Sequence, residues 1–411
     1  MPGERRRWLM LVVGMLAMTA GSTFQYGLAY LIPAYRDEGL TLEQTGLLVA
    51  CPTVGVMLTL IAWGAAADRW GERVVLSTGL GIAGLIVLAA RWAHDTATLA
   101  LCLALAGAAG GAVLASGRLI LGWFARHERA LAMGLRQSAG PMGIALAAAT
   151  LPALAAGGTG VPLLFLAALF LAAATAAFVF VRDPAAQASS AGSRAPEPPT
   201  ISPYRAAGLW RIHAASALLI VPQFTITTFA LVFLTDARGW TALAAGHLLA
   251  GAQVFGALSR LAAGYWSDRT GSRLRPMRII AVVTGGAMLA LAAAAATGSG
   301  TAVPLLLFLS VVAVSSNGLS FTAVAEYAGP AWAGRALGIQ TTGQNVVTAA
   351  TPPVVALAIG AASFAPAYAV VAAIPLIAAA LVPVAGERAA VEAQTGQRGG
   401  VPDDQVTKPR R

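Results

Sequence analysis

Residues 64–73 read Gly64-Ala-Ala-Ala-Asp68-Arg69-Trp-Gly71-Glu-Arg73, and two hundred residues later the chain reads Gly264-Tyr-Trp-Ser-Asp268-Arg269-Thr-Gly271-Ser-Arg273. Gly, Asp, Arg, Gly and Arg hold one register in both copies, and each copy stands between two long apolar runs. Self-similarity of this kind marks two copies of one unit. In each copy an Asp and an Arg sit where an apolar run gives way to water. The first Gly lets two helices approach closely, and the second turns the chain back into the next run. Such a turn serves as a charged latch between two bundles. An ordinary charged loop, the plainer alternative, has no reason to recur in register.

Composition places those runs in lipid. Of 411 residues 57 % are hydrophobic and 11 % charged, with a mean hydropathy of +0.72, which leaves too little polar surface to cover a soluble globule. About 20 apolar residues span the hydrocarbon core of a bilayer. Twelve such stretches are predicted: 9–34, 45–67, 74–92, 97–124, 131–155, 161–181, 209–235, 242–266, 277–297, 302–326, 334–360 and 364–384. Arg5–Arg7 ahead of the first run has the look of a signal peptide, but the run continues to Ile32, too far for one, so a retained first span is expected. Residues 182–208 are rich in Pro, Ser, Ala and Gly and read as a linker. The chain then divides into an N-terminal six-helix bundle (1–181), a cytoplasmic linker (182–208), a C-terminal six-helix bundle (209–386) and a polar tail (387–411) expected to be disordered.

The net charge of +10 is explained by its distribution. With the amino terminus in the cytoplasm, 21 of the 27 Lys and Arg fall inside; Arg36, Arg91 and Arg238 fall outside, and Arg118, Arg136 and Arg260 lie within spans. The positive-inside rule therefore puts both termini, the linker and both motif copies in the cytoplasm, with no need for a nucleic-acid partner. Six spans per half make the halves parallel repeats. A second echo agrees, since Gly134 and Arg136 at the head of the fifth span pair with Gly338 and Gln340 at the head of the eleventh. Cys51 and Cys102 have no Cys or His at ligand spacing, so neither a disulfide nor a metal site is expected. No cofactor is expected; the partners are the lipid bilayer and a small solute, and the chain is expected to be a monomer in the plasma membrane.

The pattern G-x-x-x-D-R-x-G-x-R, placed between the second and third spans of each half, resembles the signature of the major facilitator superfamily of secondary transporters. The resemblance implies an all-α membrane fold of 12 transmembrane helices in two six-helix bundles, working by alternating access. It gives gating roles to Gly64, Asp68, Arg69, Gly71 and Arg73, and to Gly264, Asp268, Arg269, Gly271 and Arg273. Glu326, with Arg335 beyond it, is expected to join the charged cluster around Asp268 and Arg273. Trp123-Phe124 before Arg129-Ala-Leu-Ala, with Arg260 four residues ahead of Gly264, is similar to the monocarboxylate and oxalate/formate branch, which implies that Arg260 contacts a carboxylate. That branch's acid one turn earlier is Gly256 here, and a Lys found in part of it falls on Gln344, so the resemblance does not carry proton coupling or a dicarboxylate substrate. Gly134-Leu-Arg136-Gln137 is similar to cyanate and nitroimidazole transporter-like proteins.

An ionisable group at the bilayer centre costs about 2.5–3.5 kcal/mol on insertion scales, so it faces a cavity or a partner. Here the spans hold three arginines and no acid. Arg118, Arg136 and Arg260, each ~10–12 Å along a helix from its cytoplasmic end, suit a bound anion. The alternative for each is structural bonding or snorkelling to the interface. Arg260 has Leu60 as its counterpart in the first half, so the duplicated scaffold requires no charge there. Gln25 and Tyr30 on the first span, Gln223 on the seventh, Asn317 on the tenth and Gln344 on the eleventh fill out a candidate pathway, with Tyr26, Thr225, Thr228, Gln340, Thr341 and Asn345 beside them. No histidine is placed as a midplane proton carrier, His213 and His247 falling near span ends.

No Ser, His and acid gather and no phosphate-cradling G-x-x-x-x-G-K occurs, so an enzyme is not expected. The reading is a transporter of a small solute, an organic anion such as a monocarboxylate, with proton coupling open. The alternative is a proton-coupled drug or metabolite efflux pump: Gly140-Pro141-Met-Gly143 partly matches an antiporter motif out of register, and the first span lacks a buried acid. A transporter-like sensor would need a folded cytoplasmic domain, which the short linker does not supply.

Overall fold

The computed structural model describes residues 2–116, 123–124, 129–182, 202–205, 207–329 and 332–385. Within them twelve helices are long and apolar enough to cross a membrane. The first half holds α1 (Arg6–Asp37), α2 (Leu42–Ala67), α3 (Arg69–Trp92), α4 (Thr96–Val113), α5 (Ser138–Gly157) and α6 (Gly160–Phe180). The second holds α7 (Ala207–Ala237), α8 (Ala242–Thr270), α9 (Leu274–Ala296), α10 (Ala302–Ala328), α11 (Arg335–Ala362) and α12 (Phe364–Leu381). No strand occurs among the described residues. The bounds follow the sequence reading closely except around the fourth span, whose membrane-length part ends at Val113. Arg118, most of the expected linker and the tail after 387 lie outside the described residues. The last part of the expected linker belongs instead to the second half: Pro203–Arg205 forms one helical turn, with the Tyr204 ring packed on Trp210 and His213.

The duplication is visible in how the helices begin and turn. Thr41 caps α2 by accepting from the Gln44 amide, while the Gln44 side chain accepts from the Thr41 amide. Thr241 caps α8 in the same register by accepting from Ala244. Each cap satisfies a backbone donor that the first helical turn leaves without a partner. At the other end of each helix the chain reverses through Gly71 (φ 79°) and Gly271 (φ 60°). Only glycine adopts that left-handed conformation without a Cβ clash, so the second glycine of each motif does what its position predicts.

Small residues hold each bundle together. A Cβ on Gly107 would stand 2.6 Å from the Pro52 Cα, and one on Gly55 2.6 Å from the Ala108 nitrogen, so α2 and α4 touch backbone to backbone. Thr59 and Trp63 of α2 both donate to the Ala108 carbonyl, at 2.7 and 2.6 Å.

The two bundles meet closely at the end remote from the termini. There a Cβ on Gly46 of α2 would lie 2.7 Å from Ala356 Cβ and 3.0 Å from the Pro352 carbonyl of α11. Its counterpart two hundred residues on, Gly246 of α8, has no room for a Cβ against the Ala148 carbonyl and Pro152 of α5. Ala148 and Pro152 are themselves the counterparts of Pro352 and Ala356, so the seam is one contact used twice about a twofold axis. Arg36 and Asp236 add an ion pair across the same end. At the end carrying both termini the picture reverses: a Cβ on Gly264, Gly338 or Gly343 would meet nothing within 4 Å among the described residues. The expectation of close helix approach at the first motif glycine is thus not met at Gly264 among the described residues. It lies on the half where the described helices of the two bundles stand apart, and the close-approach glycines are Gly46 and Gly246.

Candidate functional site

The closed end roofs a cavity of about 260 Å³ between the bundles. Four elements bring most of its polar groups together: α1 supplies Gln25 and Tyr26, α7 Gln223, α8 Arg260 and α10 Asn317. From α11 come Gln344, Asn345 and Thr348. Phe24, Phe170, Phe224 and Ile144 make the apolar wall. The Tyr26 and Phe224 rings meet across the two halves with centroids 5.5 Å apart. Pro141 of α5 also reaches the cavity, and Pro352 of α11 stands beside the roof. A proline inside a helix removes one backbone bond and loosens it there.

The polar side chains are oriented by one another. Gln25 Nε2 donates to Thr53 Oγ1 at 3.2 Å, and Asn317 Nδ2 donates to Gln223 Oε1 at 3.1 Å, tying α10 to α7. Gln344 Nε2 donates to Ser216 Oγ at 2.7 Å. Arg260 Nε donates to the Val314 carbonyl at 3.3 Å, which fixes one edge of the guanidinium. Its terminal amino groups have no carboxylate partner among the described residues, and no Asp or Glu lines the cavity. The site thus holds a cation in a low-dielectric pocket, with amide and phenol groups around it and no acid among the described lining residues.

Of the three intramembrane arginines, the structure brings only Arg260 to this cavity; Arg118 lies outside the described residues. Arg136 is buried, and its Nη2 donates to the Val113 carbonyl at 3.2 Å. Glu72, in the first motif turn, is within electrostatic reach of it. Arg136 therefore joins α5 to the end of α4 and to the motif and does not line the cavity. Tyr30 also stands apart from it, buried near the closed end with Gln253 of α8 close by. Gln25, Gln223, Asn317 and Gln344 do converge with Arg260. Phe224 and Thr348 escaped the sequence reading, the first because an aromatic residue in an apolar run carries no signal. The second lies one turn past Gln344, and that spacing would have found it.

The second motif forms the expected cluster. Arg273 pairs with Asp268 and, at 3.3 Å, with Glu326 of α10, and it also donates to Ser267 Oγ at 3.0 Å. The bond to Asp268, with Glu326 beside it, pushes the Arg273 guanidinium further above its usual range and keeps it charged. Arg335 stacks instead on Trp332, 4.9 Å from the ring centroid. In the first half Arg73 donates to the Phe178 carbonyl at 2.8 Å and lies 4.8 Å over its ring, so that turn is fastened to α6. The Asp68 side chain lies outside what the structure describes.

Comparison with known proteins agrees with this architecture. A family model described as Major Facilitator Superfamily matches residues 7–352. An uncharacterized MFS-type transporter of Mycobacterium tuberculosis is 42 % identical over 385 residues, covering 93 % of this chain and 86 % of that one. A probable chloroplastic anion transporter of Arabidopsis thaliana is 28 % identical over 116 residues, 28 % of this chain and 22 % of that one. In fold, the chain is similar to a bacterial homolog of the human lysosomal transporter Spinster in an inward-facing, occupied conformation, with a TM-score of 0.76 at 15 % identity, covering 93 % and 96 % of the two chains.

Proposed function

The chain belongs to the major facilitator superfamily and is a membrane transporter, and we propose that it carries a small organic anion, such as a monocarboxylate, held by Arg260. The observation that carries this reading is a guanidinium without a carboxylate partner in a cavity without acids, among the described residues. Gln223, Asn317 and Gln344 stand as further donors to the anion, with Gln25 and Tyr26 closing the opposite side. The 28 % identity to a protein described as a probable anion transporter points the same way.

The rival reading, proton-coupled drug efflux, fits less well. A cavity of about 260 Å³ is below the ~300–1,000 Å³ usual for drug-sized ligands, and it offers no carboxylate to a cationic drug.

Carriage follows from alternating access. With the chain in the plasma membrane and both termini in the cytoplasm, an orientation the arginine distribution supports, the parted end is the cytoplasmic one. The motif turns then lie at the inner gate, where Arg273 ties Asp268 of α8 to Glu326 of α10 within the second bundle. The carrier functions as a monomer, because one chain encloses the whole cavity. The test is a transport screen in proteoliposomes across small carboxylates, other small anions and cationic drugs, with and without a proton gradient. Uptake of at least one carboxylate and of no cation supports the reading; uptake restricted to cations overturns it.

A further inference from the structure

His213, less than two turns into α7, is buried, and both of its ring nitrogens are engaged. Nδ1 lies 2.6 Å from Gln340 Oε1, and Nε2 lies 3.1 Å from the Tyr204 hydroxyl. Gln340 Nε2 donates to Ser216 Oγ, the same oxygen that receives Gln344 Nε2 at 2.7 Å. Gln344 lines the cavity. A hydrogen-bonded series therefore runs from the cavity wall through Gln344, Ser216, Gln340 and His213 to Tyr204, which is part-exposed at the end carrying the termini.

The series fixes how the imidazole can change state. The Gln340 amide nitrogen is committed to Ser216, so its oxygen faces the ring and Nδ1 carries the hydrogen. Nε2 faces a hydroxyl, which donates to the neutral ring and accepts from the protonated one with no movement of heavy atoms. Ionisable groups surround the site from every packed element. Arg211, on α7 itself, is bound to the Leu381 and Ala380 carbonyls at the end of α12. Arg335, at the head of α11, is stacked on Trp332. Tyr327 of α10 abuts Gly208, and Glu326 is paired with Arg273. Arg205 follows Tyr204 on the preceding turn. No carboxylate touches His213 among the described residues. An imidazolium there has no fixed counter-charge until a negative charge enters the cavity.

We propose that His213 is a proton-binding site linked to the anion cavity, so that a proton at Nε2 and an anion beside Arg260 each favour the binding of the other through Gln340, Ser216 and Gln344. Linkage makes the effect reciprocal: lower pH tightens anion binding, and anion binding takes up protons. His213 acts through Gln344 and is a positioning residue. The proposal rests on the reading of the cargo as an anion.

The experiment is calorimetric titration of the purified protein with pyruvate, lactate, formate and oxalate between pH 5.5 and 8.5, in two buffers of different ionisation enthalpy so that protons bound per anion are counted. Wild type should take up protons on binding, with affinity rising by up to about tenfold per unit fall in pH, the limit for one coupled proton. His213→Asn keeps a donor for Gln340 but takes no proton: proton uptake and pH slope should vanish, with affinity at pH 8.5 within about twofold of wild type, as expected where the ring is neutral. Tyr204→Phe leaves the Gln340 bond in place and should shift the midpoint of the pH profile, which keeps the test available where the first variant misfolds. Unchanged proton uptake and slope in His213→Asn would overturn the proposal. Binding of no carboxylate at any pH would defeat the anion reading instead; ring nitrogen resonances of histidine-labelled protein then decide the proton site alone. A resonance lost in His213→Asn should titrate in wild type within that pH range, and one that never titrates overturns it.

Discussion

Arg36 and Asp236, two hundred residues apart and at the same register of the two halves, form an ion pair with each other across the closed end. The pair replaces a like-charge or neutral contact that an exact duplication would place on the axis, and it sits beside the Gly46 and Gly246 seams. Both side chains are more than a third exposed, so the pair is worth no more than about 1 kcal/mol. That is enough to bias two states of similar energy. Asp236→Asn should raise the outward-open fraction by up to about fivefold. Spin labels on the α1–α2 and α7–α8 connections, read by pulsed dipolar spectroscopy, will show a longer-distance population; an unchanged distribution would mean that the glycine seams alone close this end.

The seams themselves predict a stronger effect. Gly246→Val drives a branched side chain into the Ala148 carbonyl and Pro152, an overpacking cost of about 1–3 kcal/mol confined to the closed state. The variant should bind anion from outside yet turn over at least several-fold more slowly, with the same label pair reporting an open outer end. Normal turnover would contradict the placement of this contact.

Arg136→Ala should behave differently from any cavity variant. It removes the Nη2 bond to the Val113 carbonyl and a buried cation within electrostatic reach of Glu72, a loss of about 1–3 kcal/mol. Thermal stability in detergent should fall while anion affinity in the surviving folded fraction stays within about twofold of wild type. A large affinity loss with normal stability would return Arg136 to the binding site.

How much of this was legible in the sequence differs by level. Twelve apolar runs and the twice-used motif determine the fold because span length and helix count follow directly from the thickness of lipid, and Gly71 and Gly271 could be assigned their turns from position alone. The site was legible in part. Arg260 stood out through its counterpart Leu60, whereas Arg136 looked equivalent in depth and differs only in facing Val113 and Glu72, which no one-dimensional pattern reveals. Gly264 matches the small-residue rule, but which glycines touch depends on which end of the molecule is closed. His213 near a span end gave no sign of its bonds to Gln340 and Tyr204, because those partners come from another helix and from a stretch that reads as linker.

At the opposite gate, Arg273 holds Asp268 and Glu326 together. Asp268→Asn should lower turnover about tenfold or less while leaving anion affinity near wild type, since the pair is partly exposed and lies away from the cavity. Weakened binding with unchanged turnover would argue that this cluster is not part of the moving gate.

The most direct measurement is the equilibrium dissociation constant of a transported carboxylate for wild type, Arg260→Ala and Arg260→Lys, with folding monitored in parallel. Loss of a charge-assisted contact worth about 2–3 kcal/mol predicts roughly 30- to 160-fold weaker binding in Arg260→Ala, with partial recovery in Arg260→Lys. Affinity in Arg260→Ala equal to wild type, in protein that remains folded, would contradict the account.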